Sequence, residues 1–389
     1  MRTEEKMILI GALAMAAVSC DKFPAVTAPE GVREDSQLSL EEIAKLFSSL
    51  PMQSEHLEEV YSAVNISSEN GYDEEYTMAD LFESPGSGVG GGTKVAKTAA
   101  RPLKTLIEEY LEGQFSTKGG FVKDSVERYI AALSSSDLQI YWPYSDAWDG
   151  DSYPVITFDP GNESQSNIGF ELVEENGARR VREIVVDEDM AMSRPVWVIN
   201  SNDDSKYTSY EMLRRSHPEW GNTDMETKAA KKTTKTLVVK KIRMNRNFDS
   251  WFGGASEFWF KCGAVEGFTA NTEAELKMYQ PSVTDFMIVV KRKNKGLFVP
   301  FDAIMISDWT EQLDKIAFMV TEDDGGTRTS WKCDAVVKVQ SKSYGLTIDL
   351  PYNERDDIVW RGSLSSSFFE DYRGEICHFG DMDIIFDIR

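Results

Sequence analysis

The sequence predicts an α+β protein: an N-terminal helical region, a β-rich middle region and a C-terminal antiparallel β-sandwich. Two changes of pattern along the 389 residues predict it. Apolar residues recur at helical spacing up to about residue 135, and short β-type runs replace them from Leu138. From Leu237 onward nearly every apolar run reads as strand, with turn residues between the runs, as in a sandwich or barrel. The length implies two or three domains. A content of 41% hydrophobic residues, with 9 Trp and 20 Phe, is that of a folded globular chain.

The elements follow in order. Residues 1–20 carry a basic-ended start, an uncharged run from Met7 to Val18 and then Ser19-Cys20. This is the layout of an export signal, and its apolar run falls short of the ~20 residues that span a bilayer. Residues 21–37 read as a tether. Ser39 and Glu42 form a capping-box pattern ahead of Leu40, Ile43, Leu46, Phe47 and Leu50, and Pro51 stops the run. Leu57, Val60, Tyr61 and Val64 make a second stripe. Pro102 opens a third, with Leu103, Leu106, Ile107, Tyr110 and Leu111. Val122, Val126, Tyr129, Ile130 and Leu133 make a fourth. Residues 38–135 are therefore expected to be a small helical region. In the β-rich region, 136–220, strands are expected at 138–141, 154–158, 168–172, 182–186 and 196–199, with a short helix at 207–215. Residues 221–236 lack large apolar side chains almost entirely and read as a linker. The sandwich domain is expected at 237–389. Its strands are expected near 237–244, 256–265, 286–293, 301–307, 315–321, 330–340, 344–350, 358–365 and 382–388.

Charge excludes one class of partner. The formal net charge is −23. Residues 237–389 hold 19 Lys+Arg against 24 Asp+Glu, and residues 1–236 hold 23 against 41. So acidic a surface repels phosphate backbones, and nucleic-acid binding is not expected. The four cysteines, Cys20, Cys262, Cys333 and Cys377, include no Cys-x-x-Cys pair of the zinc type. Beyond Cys20 the three that remain fit buried small hydrophobes, and one bridge among them stays open.

Catalytic motifs are missing. Residues 85–94 are Gly-rich, but Thr93 precedes Lys94 where a phosphate loop has Gly, and no strand leads in. Ser87 does not sit in Gly-x-Ser-x-Gly. Only His56, His217 and His378 are available for proton transfer. Cys377 and His378 are neighbours on an expected strand, so their side chains point to opposite faces.

The densest chemical stretch is Ile140 to Pro154. Asp146, Asp149 and Asp151 are of the type that supplies hard oxygen ligands to calcium or a carboxylate acid/base pair. Trp142, Tyr144 and Trp148 are of the type that stacks on a sugar ring. The same residues also fit a Gly-containing turn whose aromatics enter a core.

Three resemblances extend this reading. Ala17-Val18-Ser19-Cys20 resembles the lipobox of bacterial lipoproteins, with Ala17 where the family usually has Leu. It implies cleavage before Cys20, acylation (palmitate among the chains) on Cys20, and anchoring in the cell envelope, at the outer membrane. Tyr141-Trp142-Pro143-Tyr144-Ser145, Trp148-Asp149-Gly150, Asp187-Glu188-Asp189 and Pro195-Val196-Trp197-Val198-Ile199 are similar to a group of lipoproteins of bacteroidete-type bacteria without assigned activity. In the C-terminal third, Asp249 to Phe260 and Thr347 to Ile358 resemble the loops of calcium-binding C2 sandwiches. That resemblance implies a calcium site of Asp249, Glu257, Asp349, Asn353, Asp356 and Asp357, with Pro351 in the middle acidic place and Trp360 in place of a Gly. The function expected is a lipid-anchored envelope protein that binds a glycan or a protein partner. The alternative is a carboxylate-based or metal-assisted hydrolase around Asp146–Asp151.

Overall fold

The computed structural model describes residues 39–82, 101–116, 122–175, 178–202, 207–217 and 235–389. Cys20 with its signal, the 21–37 tether, the Gly-rich stretch at 85–94, Asp203 and Asp204 lie outside the described residues. So does the 221–236 linker, except Lys235 and Thr236. The described chain is α+β, as its patterning predicts.

Ser39 takes the N-cap position of α1 (Leu40–Ser49) in extended backbone, but its side chain makes no capping bond. The reciprocal box instead opens α2 (Ser54–Glu69), where Gln53 and His56 exchange side-chain and backbone bonds. There His56 acts as a structural cap. The chain continues through β1 (Glu75–Thr77), α3 (Met78–Phe82), α4 (Pro102–Ser116) and α5 (Val122–Ser134). The middle region supplies β2 (Leu138–Tyr141), β3 (Val155–Phe158), β4 (Ser166–Glu175), β5 (Ala178–Asp187), α6 (Glu188–Ser193) and β6 (Val196–Ser201).

These strands form one sheet in the order β1-β2-β6-β3-β4-β5, with β3/β6 parallel and the other pairs antiparallel. The expected division at residue 135 does not separate two cores. Ile43, Phe47, Val60, Ile107 and Leu133 of the helices are buried together with Ile140, Ile156, Trp197 and Ile199 of the sheet. The reason is that a one-sided apolar helix and a one-sided sheet each need a partner layer. β1 lies inside the segment expected to be helical; three residues are too few to set up a detectable alternation.

After α7 (Tyr210–Ser216), capped by Ser209, the rest is mainly strand. It comprises β7 (Lys235–Met244), β8 (Ser256–Ala264), α8 (Glu273–Leu276), β9 (Ser282–Val290), β10 (Val299–Trp309), β11 (Leu313–Glu322), β12 (Arg328–Val339), β13 (Lys342–Asn353), β14 (Asp357–Ser365), α9 (Ser366–Asp371), β15 (Ile376–Phe379) and β16 (Met382–Ile388). They form two antiparallel sheets. One runs β10-β7-β16-β15; the other runs β13-β12-β11-β8-β9, with β14 on the free side of β11. Leu237, Ile242, Ile384 and Phe386 of the first sheet share a core with Phe258, Phe260 and Phe318 of the second.

Two features position the candidate site. First, β12 pairs with β11 only near Leu313 and Lys315, and the β12–β13 hairpin then reaches β8 and β9. It passes so close to Gly263 that a Cβ there would meet Ile348 Cδ1 at 2.9 Å and Leu350 Cδ2 at 3.3 Å. Second, the two halves are joined by an apolar plug. Trp251 and Phe252 are fully buried among Tyr141, Val155, Val196 and Val198. Asn200 Nδ2 donates to Phe252 O at 3.0 Å and to Gly253 O at 2.7 Å, and Trp251 Nε1 donates to Gln165 O at 3.0 Å. Burying two such rings contributes roughly 1.5–3 kcal/mol each or more.

Candidate functional site

The segment from Trp142 to Tyr153 is built as a joint. Trp142 is 1% exposed and packs against Tyr61, Trp148 and Trp197, with ring centroids 5.4 to 5.9 Å away. It offers no face to a sugar, because it follows β2 directly and is buried in the core shared by the helices and the sheet. Trp148 is half-buried and donates through Nε1 to Ser152 O at 3.0 Å. Tyr144 holds a left-handed backbone (φ 59°) and donates its hydroxyl to Glu188 at 2.8 Å, and Glu188 in turn pairs with Arg292 of the other half at 2.8 Å. Asp146 pairs with Lys293 at 2.8 Å, and that contact lowers its pKa. Asp149 accepts from Asp151 N, Ser152 N and Ser152 Oγ; these bonds bring it down to about 2. Asp146, Asp149 and Asp151 therefore do not converge: two carboxylates are engaged in different local roles, and Asp151 contributes its backbone N–H to the Asp149 turn.

The six residues of the expected calcium set do not form one ligand group either, although Asn353 N donates to Asp356 and the charges of Asp249 and Asp357 act on each other. Asp349 and Asn353 lie four residues apart on β13, roughly 13 Å at strand rise, too far to share one ion. Glu257 is buried at the start of β8. Asp357 pairs with Arg246 at 3.1 Å. Among the described residues, the only three-carboxylate group with ligand oxygens within 4.8 Å of one another is Asp249, Glu322 and Asp324. Only Asp249 belonged to the expected set. Burial raises the pKa of Asp249. Burial, together with the charges of Asp249 and Asp357, raises Asp324 to about 6. These oxygens are of the type a hard cation takes, and supply about half of a six- to eight-fold shell at most.

Beside this cluster lies a cleft of about 290 Å³, roofed by the ends of the β12–β13 hairpin. Its floor is β8. Period-two alternation sends Phe258, Phe260 and Cys262 into the core and leaves Trp259 and Lys261 on the opposite face. Its walls are Tyr207, Asp285, Arg328, Asn353 and Asp356. Tyr207 meets Trp259 edge-on, centroids 4.7 Å apart at 75°. Trp259 Nε1 donates to Asp323 Oδ2 at 3.0 Å.

Lys261 is 4% exposed. Its ammonium donates to one neutral group, Thr321 Oγ1, at 2.9 Å, and stands 5.3 Å from the Trp259 ring centre. Neither it nor Arg328 forms an ion pair among the described residues. Burial pulls the lysine down to about 8, opposed by Asp356, Asp285 and Asp323 at longer range. Asp356 is 7% exposed; its Oδ2 accepts from Asn353 N at 2.9 Å, while its Oδ1 has no hydrogen-bond partner. Burial raises its pKa. The cleft continues into an open trough of about 670 Å³ that shares Asp285, Arg328 and Pro351 and adds Val283, Thr329, Ser330 and Asp349.

Of the residues singled out from sequence, Asn353 and Asp356 line the cleft and Asp349 lines the trough. Trp259, Lys261, Tyr207, Arg328 and Asp323 were not anticipated. One signal was available: in Phe258-Trp259-Phe260-Lys261-Cys262, a lysine interrupts an otherwise apolar strand.

No protein-family model matches the chain, and no match emerges among curated proteins or solved structures.

Proposed function

We propose that this chain is a lipid-anchored protein of the bacterial cell envelope, held at the outer membrane through Cys20, that acts as a binding module. Its two C-terminal sheets are read as an antiparallel β-sandwich that presents the cleft at the hairpin side. The observation that carries the binding role is Lys261. A buried ammonium with a single neutral partner is costly to a fold, and an apolar residue would serve stability better. Such a group is best accounted for by a ligand that completes its bonds. The hydrolase alternative draws no support from the positions of Asp146, Asp149 and Asp151, and the cleft has no histidine among its lining residues. Among the described residues, no helix is long and apolar enough to cross a membrane.

Two measurements test this reading. The Cys20→Ser variant should lose acyl labelling and leave the membrane fraction; retention with an unacylated N-terminus would sink the anchor. In a thermal-shift screen of soluble envelope components, ligands should raise the melting point of wild type and not of Lys261→Met. A screen without a single Lys261-dependent shift would sink the binding role.

A further inference from the structure

We propose that the cleft is a carbohydrate subsite. It seats one pyranose ring in the corner formed by Trp259 and Tyr207, and the rest of an oligosaccharide runs along the trough. The proposal rests on the binding-module reading above and names its ligand class.

Three observations lead to it. The first is the apolar corner. Two rings in edge-to-face contact, 4.7 Å apart at 75°, hold each other at right angles where both line the cleft. Trp259 is fixed in this pose by Asp323, which also accepts from Asn353 Nδ2 at 3.2 Å and Gly325 N at 2.9 Å. A pre-positioned aromatic surface suits the C–H face of a sugar and limits the ordering required on binding.

The second is the polar rim, which holds donors and acceptors in balance. Lys261 and Arg328 donate; Asp285 and Asp356 accept. They face one cleft without pairing among themselves. An anion would meet the two aspartates, and a cation would meet the lysine and arginine. A neutral polyol satisfies both, because each hydroxyl donates one hydrogen bond and accepts two. The bonds that the Lys261 ammonium lacks are ones such hydroxyls would complete. Leaving them unmade carries the desolvation penalty of a charged group, so their completion favours the bound state.

The third is size and continuity. About 290 Å³ lies at the small end of ligand pockets and fits a single ring. The trough opens directly from it over shared residues and gives a chain of further units somewhere to lie.

The test uses the full chain on a printed array of host, plant and bacterial glycans, followed by titration of the best binder as a free oligosaccharide. A parallel arm titrates a panel of di- and tripeptides, whose zwitterionic ends also match a mixed rim. The expected result is saturable glycan binding that weakens about tenfold or more in Lys261→Met and in Trp259→Ala. Lys261→Met should melt no lower than wild type, which separates lost recognition from lost folding; Trp259→Phe serves as the second, milder variant. Glycan binding unchanged in these variants overturns the placement of the sugar. A silent array with Lys261-dependent peptide binding overturns the carbohydrate class and leaves the binding module standing. Silence in both arms overturns both.

Discussion

Trp259 and Asp323 are locked together: the indole Nε1 donates to Asp323 Oδ2 at 3.0 Å, and the other carboxylate oxygen ties Asn353 and Gly325 to the same point. One buried side chain (5% exposed) thus positions both the aromatic floor and a polar wall of the cleft. Asp323→Ala leaves the indole N–H and the Asn353 amide without their acceptor. It should lower stability by roughly 1–3 kcal/mol and speed exchange of the Trp259 indole proton in NMR. An indole signal that keeps wild-type protection would show that Asp323 does not hold the ring.

Gly263 carries a different kind of constraint. Its backbone is ordinary strand, and what it requires is space beneath Ile348 and Leu350. Gly263→Val should push the β12–β13 hairpin outward and destabilise by ~1–3 kcal/mol through overpacking. The urea midpoint should fall, and the amides of β13 should exchange faster than those of β16. Equal exchange in both strands would mean the hairpin is not seated on β8.

The two halves should separate poorly. Lys228, Lys231, Lys232 and Lys235 lie among small and polar residues, a composition that trypsin attacks readily. After cleavage there, the fragments should co-elute, because Trp251 and Phe252 stay buried in the middle region's sheet. Trp251→Ala removes most of that plug and should cost ~3–5 kcal/mol. Fragments that part on gel filtration without denaturant would place the halves on independent footings.

Two carboxyl groups make stability fall as pH rises. Asp73 accepts from Ala255 N at 2.8 Å across the junction of the halves; burial, and then the charge of Glu74, raise its pKa from 3.8 to about 7. Asp324 is raised to about 6. A raised carboxyl keeps its proton longer in the folded state. Its contribution is therefore fully present below the unfolded pKa of 3.8 and is lost as pH climbs through about 6 for Asp324 and about 7 for Asp73. Asp383 acts oppositely. Burial works against its charge, but Arg243 and His378 lower its pKa overall, so its contribution is lost on acidification. Melting temperature should decline from pH 5 to pH 8, and Asp73→Asn should flatten that decline. An unchanged slope in the variant would remove Asp73 from this role.

Local pattern alone determined the type of most elements. The stripe Leu103, Leu106, Ile107, Tyr110, Leu111 is α4, and Leu138–Tyr141 is β2 to the residue. These are short-range properties: an apolar face repeats every 3.6 or 2 residues whatever lies across from it. The site was not of that kind. Asp349, Asn353 and Asp356 are close in sequence, but the rise of β13 carries Asp349 to the trough, while the turn after the strand keeps Asp356 beside Asn353 in the cleft. Trp142 and Trp148, adjacent to three aspartates, look like a binding loop in one dimension; the sheet beneath turns Trp142 inward and leaves Asp146 to pair with Lys293. Conversely, Tyr207, Lys261 and Arg328 lie more than fifty residues apart and meet only because the hairpin folds over β8. Which residues share a face was written in the sequence; which faces oppose each other depends on strand order and hairpin crossing, and only the tertiary structure decided that.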